Sequence, residues 1–333
     1  MAVILITGST GFIGSHLCRA LLSAGYQVKA LHRPSSRLQL LEGLKVEHII
    51  ADITRPETLP DLFSGVDYVI HAAATSGGIE KPGQMYTVNV EGVKNVIKFA
   101  LQAGVKRVVH VSSAAVLGIP FGSNSPDDQA EYLDENHSWN GTAEMWPYGY
   151  SKYLAELEVQ KGVGMGLDAV IVNPTLVLGA GDLSRQTHSI LVQTAHKKIP
   201  FLTSGGLNVI HVDDVVTGIM AALEFGRRGE RYILGNQNLP VSRFISLCAE
   251  IAGVEYPDLL IDPGVIRFMA RFLPLFRAYI SSPLPLTYFR MAGYYFYYQN
   301  LKAKEHLNWE PRQDIHRALT DAYNWFSDQG TIH

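Results

Sequence analysis

The stretch Val3-Ile4-Leu5-Ile6-Thr7-Gly8-Ser9-Thr10-Gly11-Phe12-Ile13-Gly14 decides how this chain folds. Its four leading apolar residues predict a buried strand, and a helical pattern begins at Ile13. Between them, Gly8 permits a tight turn, Gly11 lets the backbone approach a phosphate, and Gly14 allows the helix to pack closely on the strand. A helix N-terminus after such a turn favours negative charge, so the stretch predicts a site for the pyrophosphate of a dinucleotide.

The same alternation of strand and helix continues through the first half of the chain. Continuous β-branched runs predict buried parallel strands, and the helical patterns between them predict βαβ units. The strands are predicted at residues 3–6, 28–31, 46–50, 68–71, 108–111 and 169–172, and the helices at 13–24, 57–63, 85–102 and 148–160. The fold class is therefore α/β, a Rossmann-type doubly wound parallel sheet.

The regular alternation of strands and helices ends after Pro174. Helices are predicted over 184–196 and 213–225, and strands at 208–211 and 231–234. The segment 118–141, rich in Ser, Asn, Asp and Pro, is predicted to be a loop. We expect residues 1–173 and about 211–234 to form the nucleotide-binding domain. Residues 174–210 and 235–311 would form a smaller, mostly helical substrate lobe, and 312–328 a C-terminal helix.

Composition argues against several classes of protein. A formal net charge of −3 over 333 residues gives no reason to expect a nucleic-acid partner. Cys18 and Cys248 lie far apart without metal-ligand spacing, which predicts reduced thiols, no bound metal and a cytoplasmic location. The first strand begins at once, which leaves no room for a signal peptide. The sequence contains no uncharged run of 18 apolar residues, so a membrane span is not predicted.

The end of the second strand indicates which dinucleotide binds. NAD-binding folds usually place an acidic residue there, to bind the ribose 2′-hydroxyl. Here the sequence is Leu31-His32-Arg33-Pro34-Ser35-Ser36-Arg37, without a carboxylate. A guanidinium matches a 2′-phosphate, so Arg33 favours NADP over NAD, with Ser35, Ser36 and Arg37 as helpers.

Further cofactor contacts are predicted in the glycine turn and at the ends of the next two strands. Asp52 and Ile53 suit the adenine, and the small side chains of 72–74 stand where the backbone passes the cofactor. The predicted contacts are Gly8, Thr10, Gly11, Phe12, Ile13, Gly14, Asp52, Ile53, Ala72, Ala73 and Ala74.

Tyr148-Gly149-Tyr150-Ser151-Lys152 carries the predicted chemistry. On a helix, Tyr148 and Lys152 are four residues apart and share a face. Tyr150 is rotated by about 200° from Lys152 and does not share it. Ser113, after the strand at 108–111, would lie beside them near the nicotinamide.

This trio predicts hydride transfer to a carbonyl group. Tyr148 would protonate the carbonyl oxygen, Ser113 would hold that oxygen, and Lys152 would bind the nicotinamide ribose. A charge ~4 Å from the phenolate, at an effective dielectric near 20, contributes about 4 kcal/mol. At ~1.36 kcal/mol per pKa unit, we expect Lys152 to move the pKa of Tyr148 from about 10 toward 7.

In combination, these motifs resemble the extended short-chain dehydrogenase/reductase family, the NAD-dependent epimerase/dehydratase superfamily. The resemblance rests on 7–14, 112–118 and 148–152, with support from 89–92, 173–175 and 211–214. Arg33 resembles the 2′-phosphate residue of the dihydroflavonol-4-reductase-like branch. The resemblance implies a homodimer formed through the helices at 85–102 and 148–160. It adds these cofactor contacts: Asn89, Ser112, Lys152, Asn173, Pro174 and Thr175.

Members of such a family reduce ketones or act as epimerases, dehydratases or decarboxylases. Ala114 and Ala115 stand where dehydratases and decarboxylases need a carboxylate, which argues against both. We therefore expect NADP(H)-dependent hydride transfer on a carbonyl or secondary alcohol of a fairly apolar or mixed small molecule. The alternative is an NAD-dependent sugar-nucleotide epimerase. A non-catalytic NAD(P)-binding regulator is the weakest alternative, because the trio is intact.

Substrate contacts lack motifs of their own. The segment 264–298 is crowded with aromatic residues, which could form a lobe core, an apolar pocket or a surface for peripheral membrane contact. The candidate substrate contacts are Thr75, Ser76, Met85, Tyr86, Ala114, Arg185 and His188.

Overall fold

A computed structural model of the chain describes residues 1–75, 82–120, 130–183, 188–273, 284 and 286–332. Its strands, numbered in chain order, are β1 (Val3–Thr7), β2 (Gln27–His32), β3 (Glu47–Ile50), β4 (Tyr68–His71), β5 (Arg107–Val111), β6 (Tyr132–Leu133), β7 (Ala169–Pro174), β8 (Leu176–Leu178), β9 (Gly206–His211), β10 (Arg231–Leu234), β11 (Gln237–Pro240) and β12 (Tyr297–Tyr298).

The helices of the described residues are numbered in the same way. They are α1 (Phe12–Ser23), α2 (Pro82–Tyr86), α3 (Gly92–Ala103), α4 (Pro147–Gly164), α5 (His188–Ala195), α6 (Val212–Phe225), α7 (Val241–Ala252), α8 (Pro263–Phe272), α9 (Leu286–Arg290), α10 (Leu301–Leu307) and α11 (Ile315–Asp328). None of them is both long enough and apolar enough to cross a bilayer.

The main sheet has seven parallel strands in the order β10-β7-β5-β4-β1-β2-β3. The strand order reverses between β1 and β4, which opens a crevice at the carboxyl ends of these strands. Each of the six strands predicted in the first half is present, with ends shifted by at most two residues. The predicted doubly wound Rossmann fold is confirmed.

Helices cover both faces of this sheet. On one face, Leu17 of α1 and Ile219 of α6 belong to a buried apolar cluster that includes Ile4 of β1. On the other face, Val96 of α3 and Val159 of α4 belong to a second cluster. The central strands are buried between the two layers, which is why they consist of continuous apolar runs.

Two predicted helices differ from those observed. The helix predicted at 57–63 is a pair of short 3₁₀ turns, Pro56–Thr58 and Pro60–Phe63. Pro60 has no N–H to donate and its ring crowds the preceding turn, so one continuous α-helix cannot form there. The helix predicted at 85–102 starts three residues earlier and contains a π-helical turn, Thr87–Glu91, between α2 and α3.

The second half of the chain adds a smaller sheet to its helices. Strand β9 lies between β8, which is parallel to it, and β11, which is antiparallel. The short strands β8 and β11 were not predicted, and they make this part less exclusively helical than expected. Within the segment predicted as a loop at 118–141, β6 pairs with β12, whereas residues 121–129 lie outside the described ranges.

Candidate active site

The glycine turn between β1 and α1 is shaped by close backbone contacts. Gly8 has a φ of +71°, and a Cβ atom there would lie 2.6 Å from the backbone nitrogen of Ala73. A Cβ atom on Gly14 would lie 2.1 Å from the Gly8 carbonyl oxygen. Glycine is required at both positions, so β4 and its following residues, Ala72 to Ala74, pass directly beside the turn.

The beginning of α1 provides a site for an anion. Its N-cap, Gly11, makes no side-chain hydrogen bond, and its first turn contains no acidic residue. The predicted contacts Thr10, Phe12 and Ile13 lie in this turn. The backbone N–H groups and the positive end of the helix dipole favour negative charge here. Together with a cradle too tight for Cβ atoms, they fit the pyrophosphate of a dinucleotide.

Arg33 is exposed at the end of β2. Its backbone forms a turn with Ser36, whose Oγ accepts a hydrogen bond from the Arg33 N–H at 3.2 Å. Arg37, also exposed, follows one residue later. Among the described residues, no carboxylate forms an ion pair with the Arg33 guanidinium, which leaves it available to a phosphate.

Asp52 and Ile53, predicted beside the adenine, form a turn after β3. The Asp52 carboxylate accepts hydrogen bonds from the backbone N–H and the hydroxyl of Thr54, at 2.9 and 2.8 Å. Ile53 is buried beneath Gly92, and its carbonyl oxygen accepts a hydrogen bond from Asn95 at 2.8 Å. These hydrogen bonds fix the backbone of the turn, which borders the crevice.

Ser113, Tyr148 and Lys152 come together where β5 ends beside α4. Tyr148 lies in the first turn of α4, which begins at Pro147. The Ser113 hydroxyl lies close enough to the Tyr148 phenol to lower the pKa of Tyr148. Lys152, one turn further along, is 1% exposed, and its Nζ donates a hydrogen bond to the Val111 carbonyl oxygen at 3.0 Å. The predicted trio is thus assembled at one place.

The predicted direction of the Tyr148 pKa shift is wrong for this structure. Burial of the phenol raises the pKa of Tyr148 above 10.0, and among the described residues the Ser113 hydroxyl opposes the rise. Burial also lowers the pKa of Lys152 to about 8. The expected decrease in pKa considered only the attraction between the Lys152 ammonium and the Tyr148 phenolate. Desolvation of the phenolate has the opposite effect on its pKa and is larger here. A raised pKa keeps the proton on Tyr148 at neutral pH.

Asn89 lies in the π-helical turn and links two parts of the site. Its side-chain oxygen accepts a hydrogen bond from the Thr75 N–H, and its Nδ2 donates to the Thr75 carbonyl oxygen, both at 2.8 Å. The same Nδ2 donates to the Ser151 hydroxyl at 2.9 Å. Both amide hydrogens of Asn89 are therefore used to join the chain after β4 to the helix that carries Lys152.

Asn173, Pro174 and Thr175, predicted as cofactor contacts, lie at the end of β7. The Nδ2 of Asn173 donates to the Ser113 carbonyl oxygen at 3.1 Å and to Glu156 Oε1 at 2.6 Å. Thr175 donates its hydroxyl to an asparagine of β9 at 2.8 Å. Asn173 thus holds the backbone of Ser113.

Sequence reasoning missed Glu156, a buried carboxylate on α4. Burial raises the pKa of Glu156, and the Ser112 hydroxyl, Arg231, Asn173 and Lys152 oppose the rise. The spacing offered a signal that was not used. Glu156 follows Lys152 by four positions, which places both on one face of the helix.

Two further buried groups are histidines whose pairing was not predicted from the sequence. His71 and His110 stack at the carboxyl ends of β4 and β5, with ring centroids 5.3 Å apart. His71 Nδ1 shares a 2.6 Å hydrogen bond with the Thr7 hydroxyl. Burial lowers the pKa of His71 to about 3 and the pKa of His110 well below 6.5, and the Lys152 charge adds to both effects. Both rings are neutral at pH 7.

Half-buried aromatic side chains surround the first turn of α4, where Tyr148 lies. Neighbouring ring centroids in this aromatic wall lie 5.4 to 6.5 Å apart. Its members, in order of contact, are Tyr86, Tyr150, Trp139, Trp146, Phe296 and Tyr294. Such a wall offers a large apolar contact area with a few polar tips.

The candidate substrate contacts are distributed unevenly. Tyr86 and Thr75 are half-buried near the trio, whereas Met85 and Ala114 are buried among other side chains. Ser76 and Arg185 lie outside the described residues, as does the side chain of His188.

The aromatic segment 264–298 divides into two parts. In α8, Phe268 and Met269 are 60% and 56% exposed, and Phe272 is exposed as well. Tyr295, Tyr297 and Tyr298 are buried in the lobe. Residues 274–283 and 285 lie outside the described ranges. The second part of the segment is therefore core, with Tyr294 and Phe296 in the aromatic wall.

Comparison with known proteins identifies the family. Residues 4–235, well over half of the chain, match the NAD dependent epimerase/dehydratase family. The chain belongs to this family. The matched region runs from β1 to the end of β10, and so contains the glycine turn and the Ser113–Tyr148–Lys152 trio.

Family members of several activities resemble this chain. A Synechocystis relative whose name refers to dihydroflavonol 4-reductase is 31% identical over 98% of this chain and 95% of its own length. Cinnamoyl-CoA reductase 2 of Arabidopsis thaliana is 31% identical over 77% of this chain and 79% of the relative. The structure of a nucleoside-diphosphate-sugar epimerase from Pseudomonas aeruginosa superposes with a TM-score of 0.81 at 26% identity, covering 100% of this chain and 99% of that one.

Proposed function

We propose that this protein is an NADP-dependent reductase that converts a carbonyl group of a fairly apolar small molecule into an alcohol. The observation that carries the proposal is that Ser113 and Tyr148 lie together beside buried Lys152, and that Ser113 is followed by Ala114 and Ala115. The pair can hold and protonate one oxygen atom. The two alanines add no carboxylate for the elimination or decarboxylation that other family members perform.

Each side chain has a defined task in this reaction. Ser113 donates its hydroxyl to the carbonyl oxygen and polarises it, and Tyr148 then gives that oxygen its proton. Because the pKa of Tyr148 is raised, the phenol is protonated at neutral pH and carries the proton that it gives. The buried Lys152 ammonium supplies positive charge near the oxygen while negative charge develops there. A reduced nicotinamide, when bound, supplies the hydride.

The choice of NADP rests on Arg33. Because its guanidinium is exposed and no acidic residue precedes it in β2, the strand end favours a 2′-phosphate over a bare ribose hydroxyl. The family is described as NAD dependent. A nicotinamide cofactor is therefore consistent with both the reductase proposal and the epimerase alternative.

The aromatic wall supports an apolar substrate. Trp146 packs against Phe296, and Tyr150 packs against another ring of the wall, so ring surfaces line the start of the helix that carries Tyr148. A nucleotide sugar would need several cations for its diphosphate. Arg290, near the wall, already donates a hydrogen bond to the Glu144 carbonyl oxygen. An aliphatic, aromatic or polycyclic ketone fits these surroundings better.

A sugar-nucleotide epimerase is the second candidate, since such an enzyme needs the same trio and no extra acid. The similarity to the epimerase structure from Pseudomonas aeruginosa favours it. One screen tests both candidates. NADPH oxidation is followed at 340 nm with a panel of aliphatic, aromatic and polycyclic ketones and aldehydes, and UDP- and dTDP-sugars are tested for interconversion. Purified protein that retains NAD, has no affinity for NADPH and interconverts sugars would overturn the reductase proposal.

A further inference from the structure

Glu156 is a buried acid to which the proposed reaction gives no task. It is 5% exposed and lies on α4, one helical turn beyond Lys152. A buried carboxylate is costly unless other groups compensate its charge. The groups that compensate the charge of Glu156 therefore indicate the role of this residue.

The partners of Glu156 hold it in one orientation. Its Oε1 accepts a 2.6 Å hydrogen bond from Asn173, and its Oε2 lies 3.4 Å from the guanidinium of Arg231 in β10. Arg231 in turn donates to the backbone carbonyl oxygens of Glu135 and His137. The carboxylate is thereby held between the end of β7 and the start of β10.

The charges around Lys152 come from only a few groups. Burial lowers the pKa of Lys152, and within the described part of the chain Glu156 is the one charge that raises it. On the sheet side, His71 and His110 face the same ammonium and are neutral, so they do not compensate its charge. Around Glu156 itself stand Lys152 and Arg231.

We propose that Glu156 is a positioning residue, whose fixed carboxylate keeps the buried Lys152 in its charged form. The inference deepens the proposed reductase function and rests on it for the catalytic consequence. Without the carboxylate, desolvation of Lys152 would be opposed by no negative charge among the described residues. The ammonium would then lose its proton at neutral pH, and the positive charge beside the reacting oxygen would disappear.

Glu135 provides a matched control. It lines the same surface cavity as Glu156 and Arg231, a cavity of about 330 Å³ behind α4. Burial raises the pKa of its carboxylate also, and its Oε1 accepts a hydrogen bond from the Ile233 N–H at 2.8 Å. The charged groups that influence Glu135 are Lys302 and Asp134. Glu135→Gln therefore removes an equal charge nearby, without affecting the partner of Lys152.

The test is an NMR titration of protein labelled with ¹³C at the lysine Cε, with the Lys152 signal assigned from Lys152→Met. In Glu156→Gln, the titration midpoint of Lys152 should fall by about one to two pH units, as expected for the loss of a charge one helical turn away. Glu135→Gln should leave it unchanged. An unchanged midpoint in Glu156→Gln overturns the proposal. If Glu156→Gln does not fold, Glu156→Met removes the same charge with similar volume and is measured instead.

Catalysis provides the second measurement. In carbonyl reduction by Glu156→Gln, the alkaline limb of the pH profile of kcat should move to lower pH. The size of this shift should equal the shift of the Lys152 titration midpoint. Glu156→Asp, which keeps the charge, should restore the limb. Loss of turnover in both variants without movement of the limb would mean a purely structural role and overturn the proposal. The lysine titration needs no substrate, so it still decides the role of Glu156 if the protein reduces no carbonyl compound.

Discussion

Tyr148 is half-buried, and the burial of its phenol affects its protonation state. Because burial raises its pKa, the phenol holds its proton until a developing alkoxide of higher basicity draws it away. Ser113, beside the same phenol, is placed to stabilise the oxygen that receives the proton.

Replacing Tyr148 with Phe should reduce kcat by about 10²- to 10⁴-fold, because the proton donor is lost while the ring remains. Nucleotide affinity, measured by quenching of tryptophan fluorescence, should change little. Tyr153→Phe removes a hydroxyl from the next turn of the same helix and should keep most of the activity. Full turnover in Tyr148→Phe would show that another group donates the proton.

Arg33→Asp should reverse the choice of cofactor. The change removes a charge-assisted contact with the 2′-phosphate and adds a carboxylate that can bind a 2′-hydroxyl. The ratio of kcat/KM for NADPH to that for NADH should fall by about 10- to 100-fold, which corresponds to about 1.5–3 kcal/mol. The exposed Arg55, beyond β3, serves as a control through Arg55→Ala. If the ratio is the same in all three proteins, Arg33 does not select the cofactor.

At the scale of elements, β4 and β5 place two neutral histidines in contact at the centre of the sheet. The unfolded chain takes up protons near pH 6.5, whereas native His71 stays neutral until about pH 3. The unfolded state therefore binds more protons in this interval, and stability must fall as the pH falls through it. The strand pairing thus gives the protein a built-in sensitivity to acid.

His110→Phe should reduce this sensitivity. Neither ring nitrogen of His110 has a hydrogen-bond partner within the described chain, so an apolar ring of similar shape removes a buried polar cost as well. Each such histidine should cost about 2 kcal/mol of unfolding free energy between pH 7 and pH 5. Urea unfolding of both proteins at these pH values measures the difference. Parallel pH dependence in wild type and variant would contradict the assignment.

At the scale of the whole molecule, α3 and α4 pack side by side on one face of the sheet. The family resemblance predicts that these helices form the contact in a homodimer. On α4, Leu157 is 39% exposed, an apolar side chain suited to such a contact.

Light scattering should therefore give twice the mass of one chain, and Leu157→Glu should shift the protein toward monomer. Met165→Glu, at an exposed apolar position just beyond α4, is the control and should remain dimeric. A monomeric wild type at micromolar concentration would end the dimer prediction.

The predictions from sequence succeeded where a residue's environment follows from its neighbours in the chain. The strand–turn–helix at 3–24 and the four-residue spacing of Tyr148 and Lys152 are of this kind. They failed where two local rules compete, as at 57–63, where prolines interrupt a helical pattern. The hydrogen bonds of Asn89 were not predicted, because its partners Thr75 and Ser151 are 14 and 62 positions away.

The glycine turn illustrates the same division. Local pattern was enough to predict a dinucleotide fold, the positions of its strands along the chain and the trio of polar side chains, because turn geometry and helix periodicity act over a few residues. Only the tertiary structure decided how those side chains titrate. The raised pKa of Tyr148, the lowered pKa of Lys152 and the burial of Glu156 depend on desolvation by residues distant in sequence, and desolvation exists only once the chain is packed.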